Sequence, residues 1–420
     1  MSTEDAAGDT GDTGGRGHLD GRWPAITTEP LVWTPPPGLE GVTRAERSAV
    51  GRRYAAAVLP EIAGLSPAPR PQVVAQAEEA VAEVRAFDAE TDEPRSVARG
   101  GPRALDAILL RSESASSSQI EQLTASARAV AEAELTGTGR GNAAVVAANV
   151  DAMTAAIALA DRLDAEAILR MQLALLSGTA PHLVGWRSEP VWIGPAGSTP
   201  VSADFVPPHH ARIEAAIRDL VDFMARDDLP VLVQAAVAHA QFETIHPFAD
   251  GNGRTGRALV HALLRGKGVT RHVTVPVSGG LLHDRAGYVA ALDAYRRGEI
   301  EPIVTAFALA GLRAVEHGRT MRRRLDVVRA QWRERVHARS DSAVWRLLDV
   351  VVAHPVIDAA TAAAALGIAE PNVHRHLRVL SESGVLIGRQ HYPERRTLWR
   401  APDVLAVLDA YAEDVGRRRR

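Results

Sequence analysis

Residue types suited to phosphate chemistry are concentrated in residues 246–257, which read His-Pro-Phe-Ala-Asp-Gly-Asn-Gly-Arg-Thr-Gly-Arg. Gly251 and Gly253 permit positive φ and leave backbone N–H groups uncovered, and such amides at a helix N-terminus form an anion site. Arg254 and Arg257 lie about one helical turn apart, so both guanidinium groups face the same side and can bind phosphate oxygens bidentately. The spacing therefore predicts a polyphosphate site.

Three further side chains of this stretch suit the same chemistry. Asp250 supplies a hard carboxylate oxygen, a ligand that Mg²⁺ takes alongside substrate phosphates. His246 is a base that titrates near neutral pH. The side chain of Asn252 is expected to donate to the phosphates as well. Apolar runs at 230–245 and 258–264 predict helices that hold the loop from both sides.

The stretch matches every fixed position of the Fic signature, HPFx[D/E]GNGRxxR, so the chain resembles the Fic family. In that family the motif binds ATP and Mg²⁺ and transfers AMP to a hydroxyl side chain of a target protein. The resemblance implies that His246 is the catalytic base and that Asp250 is the Mg²⁺ ligand. The implied nucleotide-binding residues are Gly251, Asn252, Gly253, Arg254, Thr255, Gly256 and Arg257.

Composition places few limits on the function of the 420-residue chain. Apolar residues make up 46% and charged residues 24%, and the formal net charge is -3, which is ordinary for a globular protein. The sequence has no cysteine, which excludes disulfides, thiolate metal sites and cysteine nucleophiles and fits a reducing compartment. An acidic N-terminus and the absence of a long uncharged apolar run predict a cytoplasmic protein with no membrane partner.

A Ser-Ser-Gln-Ile-Glu stretch begins at Ser117. By itself it indicates a serine-rich helix start with a solvated glutamate. Many Fic proteins, however, carry an inhibitory helix with the pattern [S/T]xxxE[G/N], which Ser117 and Glu121 match, whereas Gln122 stands where Gly or Asn is usual. The resemblance implies an inhibitory helix at about 112–128, whose Glu121 pairs with Arg257 and thereby removes the partner of the γ-phosphate.

Residues 186–208 predict a β-hairpin, with extended runs at 191–194 and 201–206 separated by a turn rich in Gly, Pro, Ser and Thr. In Fic proteins a hairpin at this place, the flap, docks the target peptide by strand addition, which requires a free strand edge. We therefore expect a protein target to dock on the 191–206 hairpin. The alternative is a surface hairpin without a role.

The C-terminal residues 341–420 carry a separate pattern. Asp358 is expected to cap a helix that ends at Leu366, a second helix follows from Pro371, and two short strands come after it. This order resembles a winged helix-turn-helix, which implies DNA as a partner. The residues expected to contact DNA are His374, Arg375, Arg378, Arg395 and Arg396. A winged helix used for homodimerisation or target docking is the alternative.

The predicted fold class is mainly α: a Fic-type helical core with a small β-hairpin flap, followed by the winged helix-turn-helix. The predicted units are a disordered N-terminus (1–28), an N-terminal helical region (29–140), a catalytic core (141–315), a basic linker helix (316–340) and the winged helix (341–420). Helical patterns cover 44–61, 71–88, 104–110, 143–159, 165–176, 210–226, 230–245, 284–297, 302–315 and 318–339. One β-like run covers 273–278.

The function predicted from these features is protein adenylyl transfer from Mg-ATP to a Ser, Thr or Tyr hydroxyl, inhibited by Glu121. Two alternatives keep the same motif. The first is a Fic enzyme that uses another donor or removes AMP. The second is a transcriptional regulator whose core senses nucleotide and whose winged helix binds DNA.

Overall fold

The computed structural model describes residues 23–34, 43–91, 104–195, 197–391 and 396–416. Within these ranges the chain is mainly helical, as the sequence predicts. The α-helices are α1 (Arg44–Ala49), α2 (Pro71–Glu90), α3 (Ala104–Ile120), α4 (Ala127–Thr136), α5 (Asn142–Ala158), α6 (Ala165–Leu176), α7 (Ile213–Ala225), α8 (Val231–Ile245), α9 (Asn252–Gly266), α10 (Val277–His283), α11 (Arg285–Arg296), α12 (Glu301–Arg335), α13 (Ala343–Ala353), α14 (Ala359–Leu366), α15 (Glu370–Glu382) and α16 (Pro402–Gly416). The strands are β1 (Thr27–Val32), β2 (Arg53–Val58), β3 (Val356–Ile357), β4 (Ile387–His391) and β5 (Arg396–Arg400).

Helix α8 lies at the centre of the fold. It is apolar almost all round, and every residue from Leu232 to Ile245 is buried, as expected of a helix enclosed on all sides. Helices α2, α7, α9, α11 and α12 pack around it. At its C-terminal end the rings of Phe242 and Phe248 are fully buried, with 6.2 Å between their centroids. The core therefore fixes the position of His246, the C-cap residue of α8.

Helix α12 is one continuous helix of 35 residues. The sequence predicts two helices, 302–315 in the core and 318–339 in the linker, and this division is wrong. Gly318 does not interrupt the helix; its missing side chain allows Phe87 of α2 to approach, since a Cβ at 318 would lie 2.6 Å from the Phe87 ring. The proposed boundary between core and linker thus falls inside a helix that packs along α2.

The segment predicted as a helix over 44–61 is mostly not helical. Helix α1 ends at Ala49, the chain turns at Gly51 with φ of 76°, and strand β2 follows. Strand β2 pairs antiparallel with β1, with Thr27 opposite Val58. An Ala-rich run is compatible with a helix by propensity, but pairing with β1 overrides that weak preference.

The prediction that residues 1–28 are disordered is wrong for residues 23–28. Trp23 is buried, and its ring packs against those of Phe223 and Tyr295. The backbone N–H of Ile26 donates to the carbonyl of Arg296 over 3.0 Å. Residues 23–28 are therefore held by the core, while residues 1–22 lie outside the described residues.

The β-like run predicted at 273–278 is not a strand: residues 273–276 are irregular and α10 begins at Val277. Its backbone N–H groups are satisfied by buried carboxylates instead of a neighbouring strand. Asp88 accepts from the N–H groups of residues 271–273, and Asp106 accepts from that of Thr274, at distances of 2.8 to 3.0 Å. Two side chains distant in sequence thus replace the β-ladder.

The region predicted as a flap hairpin also lacks regular strands. A single antiparallel bridge joins Ile193 and Phe205, whose backbone groups exchange hydrogen bonds of 2.8 and 3.0 Å. The carbonyl of Val206 accepts from the N–H of Ala57 in β2 over 3.0 Å. The rings of Trp33 and Trp192 meet edge to face. The loop is therefore anchored by one bridge and by the β1–β2 sheet.

The C-terminal elements follow the predicted order. Asp358 caps α14 by accepting from the N–H of Thr361 over 2.9 Å, and Gly367 ends that helix in the left-handed conformation. Helix α15 follows, and strands β3, β5 and β4 form an antiparallel sheet in that spatial order. The interpretation of these elements as a winged helix-turn-helix stays a prediction.

None of the helices in the described part of the chain combines the length and apolarity needed to cross a membrane.

Candidate active site

The loop between α8 and α9 is closed by the side chain of Asn252. Its Oδ1 atom accepts from the N–H of Phe248 and its Nδ2 atom donates to the carbonyl of Phe248, both over 2.9 Å. Gly251, at φ of 85°, is the N-cap of α9, and a Cβ there would lie 2.7 Å from Leu175. The Asn252 side chain therefore holds the loop, and its expected contact with phosphates stays a prediction.

His246 stands at the end of α8 in a left-handed conformation, φ 49° and ψ 61°. Such a backbone is uncommon for a residue other than glycine, and it turns the imidazole toward the loop. The side chain keeps 21% of its surface exposed, and its Nδ1 atom lies 3.8 Å from Oε2 of Glu243. Burial, with a contribution from the charge of Arg187, lowers the pKa of His246 to about 4. The imidazole is therefore neutral at physiological pH and can accept a proton.

Arg187 positions this histidine, and no sequence motif identified it. Its Nε atom donates to the carbonyl of His246 over 2.8 Å and its Nη2 atom to that of Pro208 over 2.7 Å. Its backbone N–H donates to the carbonyl of Pro247 over 3.0 Å. Burial lowers the pKa of Arg187 to about 10, so the side chain remains charged at neutral pH. One buried guanidinium thus joins the loop before the motif to the motif itself.

The carboxylate of Glu121 lies directly over Gly253, at the N-terminus of α9. A Cβ at position 253 would lie 2.2 Å from Oε1 of Glu121 and 2.9 Å from Nη1 of Arg257. Nη2 of Arg257 donates to the same Oε1 atom over 2.9 Å. An anion therefore lies against Gly253 and Arg257, where the sequence predicts phosphate.

Ser117 also accepts hydrogen bonds from Arg257. The Nε atom of Arg257 donates to the Ser117 hydroxyl and its Nη2 atom to the Ser117 carbonyl, both over 2.9 Å. Ser117, Glu121 and Arg257 therefore form one hydrogen-bonded network. The side chain of Glu121 is 42% exposed. Burial alone would raise the pKa of Glu121, but the charges of Arg257 and Arg254 outweigh it and lower that pKa. The carboxylate is therefore ionised.

The other predicted nucleotide-binding residues occupy two different environments. Arg254 is buried, and its Nη1 atom has no hydrogen-bond partner among the residues described. Its Nη2 atom lies 3.3 Å from Oδ2 of Asp250. Thr255 is fully buried, and a Cβ at Gly256 would lie 2.9 Å from Phe242. Arg254 thus retains an unused donor at the site, and the Thr255 hydroxyl is buried without a hydrogen-bond partner among the described residues. Gly256 allows the close contact of α9 with Phe242 of α8.

The inhibitory segment is not a separate helix over 112–128. Helix α3 runs through it and ends at Ile120. The Ser112 hydroxyl donates to the carbonyl of Ile108 over 2.9 Å, so this serine is accommodated inside the helix. Glu121 follows the last helical residue. Gln122 then adopts φ of 64°, and the N–H of Leu123 donates to the carbonyl of Ser118 over 3.0 Å.

A buried polar network ties α3 to the helices of the site. Glu113 is fully buried; its Oε1 atom lies 2.8 Å from Nε2 of His261, and its Oε2 atom accepts from the N–H of Ser278 over 2.8 Å. On the next turns, Asn149 of α5 donates to the carbonyl of Ser114 over 2.8 Å. These contacts fix the axis of α3 and hence the position of Glu121.

Asp250 suits a metal that binds through a substrate. Its side chain is 51% exposed, and its Oδ1 atom accepts from the N–H of Gly251 over 2.7 Å. The described residues contain no group of three potential metal ligands. A single accessible carboxylate fits Mg²⁺ held mainly by phosphates and water.

The residues predicted to contact DNA are only partly available on the surface. His374, Arg375 and Arg378 are exposed along one face of α15. Arg396 instead pairs with Asp358, the cap of α14, over 2.9 Å. Arg395 lies outside the described residues.

Comparison with known proteins identifies a related family. Residues 162–264 match the model of the Fic/DOC family. The chain is 30% identical over 148 residues to the protein adenylyltransferase fic-1 of Caenorhabditis elegans, a match covering 34% of this chain and 26% of the relative. It is 32% identical over 131 residues to a probable protein adenylyltransferase of Aquifex aeolicus, covering 28% and 37%.

A solved structure of a Fic family protein from Desulfovibrio desulfuricans aligns with a TM-score of 0.49 and 20% identity, covering 80% of this chain and 98% of that one. The two curated relatives are matched over little more than a third of their own lengths at most. The matched region, 162–264, contains Arg187, His246, Asp250 and the arginines of α9. The chain therefore carries a domain of the Fic/DOC family that contains the loop motif, whereas Ser117 and Glu121 precede the matched residues.

Proposed function

We propose that this protein is a protein adenylyltransferase that moves AMP from ATP to a Ser, Thr or Tyr hydroxyl of a protein and is inhibited by Glu121. The observation that carries the proposal is the position of the Glu121 carboxylate, over Gly253 and 2.9 Å from Arg257. A protein anion at a helix N-terminus, bonded to a buried arginine, supports the proposal that a substrate phosphate binds there. Two curated relatives named as adenylyltransferases support the reaction class.

In the proposed reaction His246 accepts the proton of the target hydroxyl. The oxygen of that hydroxyl attacks the α-phosphorus of ATP, the bond to the bridging oxygen breaks, and pyrophosphate leaves. A neutral imidazole is required, which agrees with the low pKa of about 4. Arg187 keeps the imidazole in place through the His246 carbonyl.

Charge on the phosphates is stabilised by groups that are already in position, so little reorganisation is needed. The N–H groups at the start of α9 point at the site, and Arg254 and Arg257 supply guanidinium donors. When bound, Mg²⁺ held by Asp250 would neutralise part of the phosphate charge. Occupation of Arg257 by Glu121 removes a phosphate partner, so ATP binds in an unproductive orientation.

The target is proposed to dock on residues 191–206. Ile193 is exposed on this loop. The loop lies near His246 because Arg187, which precedes it, donates to the carbonyls of His246 and of Pro208, the residue that follows it. Both backbone groups of Ile193 are bonded to Phe205, so an added strand would pair along the opposite edge of this segment.

The test is autoadenylylation with ATP labelled at the α-phosphate, in the presence of Mg²⁺. Wild type is expected to label weakly, Glu121→Gly strongly, and Glu121→Gly/His246→Ala not at all. The mass of the product distinguishes AMP from another transferred group. No label in Glu121→Gly, with circular dichroism equal to that of wild type, would contradict adenylyl transfer.

DNA binding is a second candidate function, favoured by the exposed cations on α15. His374, Arg375 and Arg378 lie on one face, and Arg389 of β4 is also exposed. The double variant Arg375→Ala/Arg378→Ala should bind the promoter of the protein's own gene more weakly than wild type, and its affinity should depend less on salt. Equal binding of wild type and the double variant would remove this function.

A further inference from the structure

A cavity of about 530 Å³ lies far along the chain from the loop motif, between the C-terminal end of α12 and helix α13. Ligand sites for small molecules typically have this size. Its lining combines three arginines, Arg329, Arg333 and Arg346, with the tryptophans Trp332 and Trp345. Asp349 is the carboxylate among its lining residues. The described lining therefore carries an excess of positive charge next to two aromatic rings.

Arg329 is not saturated by the neighbouring carboxylates. Arg329 lies 3.6 Å from Asp326 and 3.9 Å from Asp349, beyond the range of a normal hydrogen bond. Its Nε atom is buried without a hydrogen-bond partner among the described residues. Arg346 makes a 3.3 Å hydrogen bond to the carbonyl of Leu366. Buried N–H donors normally find an acceptor, so an anion in the cavity would satisfy donors that the described residues leave unused.

The tryptophan rings lie at the cavity with their N–H groups already occupied. Nε1 of Trp332 donates to Asp403 over 2.7 Å, and Nε1 of Trp345 donates to the carbonyl of Arg339 over 2.8 Å. What remains for a ligand is the apolar surface of the rings. Trp332 is fully buried beneath the cavity, whereas Trp345 is half-buried. Trp345 is therefore the ring on which a planar group can stack.

Neutralisation of the dipole of α12 is a simpler explanation for part of this charge. Cations in the last turn of a helix stabilise its C-terminal carbonyls, and Arg333 and Arg335 are in that turn. That effect does not account for Arg346, which is on α13, or for Arg329, which is more than one turn before the end. The convergence of three arginines from two helices on one cavity needs a further reason.

We propose that this cavity binds a small planar aromatic anion, held by Arg329, Arg333 and Arg346 and stacked on Trp345. The anionic group can be a carboxylate on an aromatic ring or the phosphate of a nucleotide, which share this chemistry. A bound anion would contact arginines of both helices and so link α12 to α13. The proposal is independent of adenylyl transfer, because none of these residues belongs to the loop motif.

The test is calorimetric titration of the full chain at low salt with two probes, salicylate and AMP, used separately. Arg333→Gln removes an exposed cation at the cavity and should not affect folding. Arg323→Gln is the matched control, since Arg323 is an exposed arginine of α12 outside the cavity lining. Affinity should fall about tenfold in Arg333→Gln, as expected for loss of one charged hydrogen bond, and stay at the wild-type value in Arg323→Gln.

Salicylate binding identifies an aromatic carboxylate as the ligand class, and AMP binding identifies a nucleotide. Trp345→Leu should weaken either probe and abolish the quenching of tryptophan emission that accompanies binding. Affinity for AMP that is equal in wild type and Arg333→Gln would place AMP at the loop motif and overturn the nucleotide assignment. Failure of both probes to bind, or binding of both that is insensitive to Arg333→Gln, would overturn the proposal.

Discussion

Glu121 accepts a 2.9 Å hydrogen bond from Nη2 of Arg257, a residue 136 positions later in the chain. Arg257 is buried and Glu121 is partly exposed, so the contact can open without unfolding the core. The carboxylate also blocks the approach to Gly253. A single side chain therefore covers both the helix N-terminus and the arginine of the proposed phosphate site.

Variants along this contact should release activity in a graded order. Glu121→Gly removes the anion and its bulk, Glu121→Gln keeps the bulk, and Ser117→Ala removes one acceptor of Arg257. A hydrogen bond to a charged group contributes about 1.5–3 kcal/mol, so Glu121→Gly should raise the rate of autoadenylylation about 10- to 100-fold. Glu121→Gln should give a smaller rise and Ser117→Ala the smallest.

Initial rates at saturating Mg-ATP measure this order. A rate for Ser117→Ala above that of Glu121→Gly would contradict the central role of the carboxylate.

The pH dependence of the released enzyme follows from the environment of His246. Its pKa is lowered to about 4, so lowering the pH protonates the base only near that value. The rate of Glu121→Gly should therefore stay nearly constant from about pH 8 to pH 5, whereas an ordinary histidine would lose its basic form near pH 6.5. Rates across this range, measured at Mg-ATP concentrations well below KM so that they report the free enzyme, test the prediction. A midpoint near pH 6.5 attributable to the free enzyme would mean that burial does not control the base.

Arg187→Lys should impair catalysis without impairing nucleotide binding. Lysine keeps the charge but cannot reach the carbonyls of His246 and Pro208 together, because it lacks the guanidinium fork. A displaced base is expected to lower kcat about 100-fold, with little change of KM for ATP. Kinetics in the Glu121→Gly background measure both constants. Arg212→Lys, at an exposed pair with Glu29, is the control; a similar loss in that variant would point to a general effect on the fold.

Glu243 offers a test of stability against pH. Burial raises its pKa to about 7, above its unfolded value, and its Oε1 atom is buried without a partner among the described residues. Folding thus favours the protonated form: the stabilisation is present below about pH 4.5 and is lost as pH rises through 7. Glu243→Gln stays neutral, so it should be more stable than wild type at pH 8.5, by roughly 1–3 kcal/mol, and similar at pH 4.5.

Thermal denaturation of Glu243→Gln and wild type at the two pH values provides the comparison. Equal differences in Tm at both pH values would show that folding does not raise the pKa of Glu243.

The sequence predicts the loop motif well because its chemistry is local. The positions of His246, Asp250, Arg254 and Arg257 follow from their spacing on one loop and one helix, and α8 follows from its apolar run. Residues that act across the fold are harder to identify. Arg187 resembles any surface arginine in sequence, and its role depends on three carbonyls that tertiary packing brings to it.

The errors in secondary structure have the same origin. The run at 273–276 has the composition of a strand, but the carboxylates of Asp88 and Asp106 satisfy its backbone. Gly318 looks like a helix break but provides space for Phe87. In each case a contact between segments distant in sequence overrides a local preference that is weak by itself.

Gln122 gives a test of the helix end that carries Glu121. It has φ of 64°, a left-handed conformation that costs a residue with a Cβ about 1–2 kcal/mol but costs glycine little. The N–H of Leu123 donates across it to the carbonyl of Ser118 over 3.0 Å, which is the pattern of a helix that ends in a left-handed residue. Gly is usual at this position in the family motif, and the geometry explains why.

Gln122→Gly should therefore stabilise the protein by about 0.5–1 kcal/mol, after the greater entropy of glycine in the unfolded chain is deducted. Because the helix end that positions Glu121 becomes firmer, the basal rate of autoadenylylation should fall or stay equal. Gln122→Ala is the matched control, since alanine also carries a Cβ and should bring no gain in Tm. A higher basal rate in Gln122→Gly would mean that the Gln122 side chain itself holds Glu121 in place, which its exposure on the surface argues against.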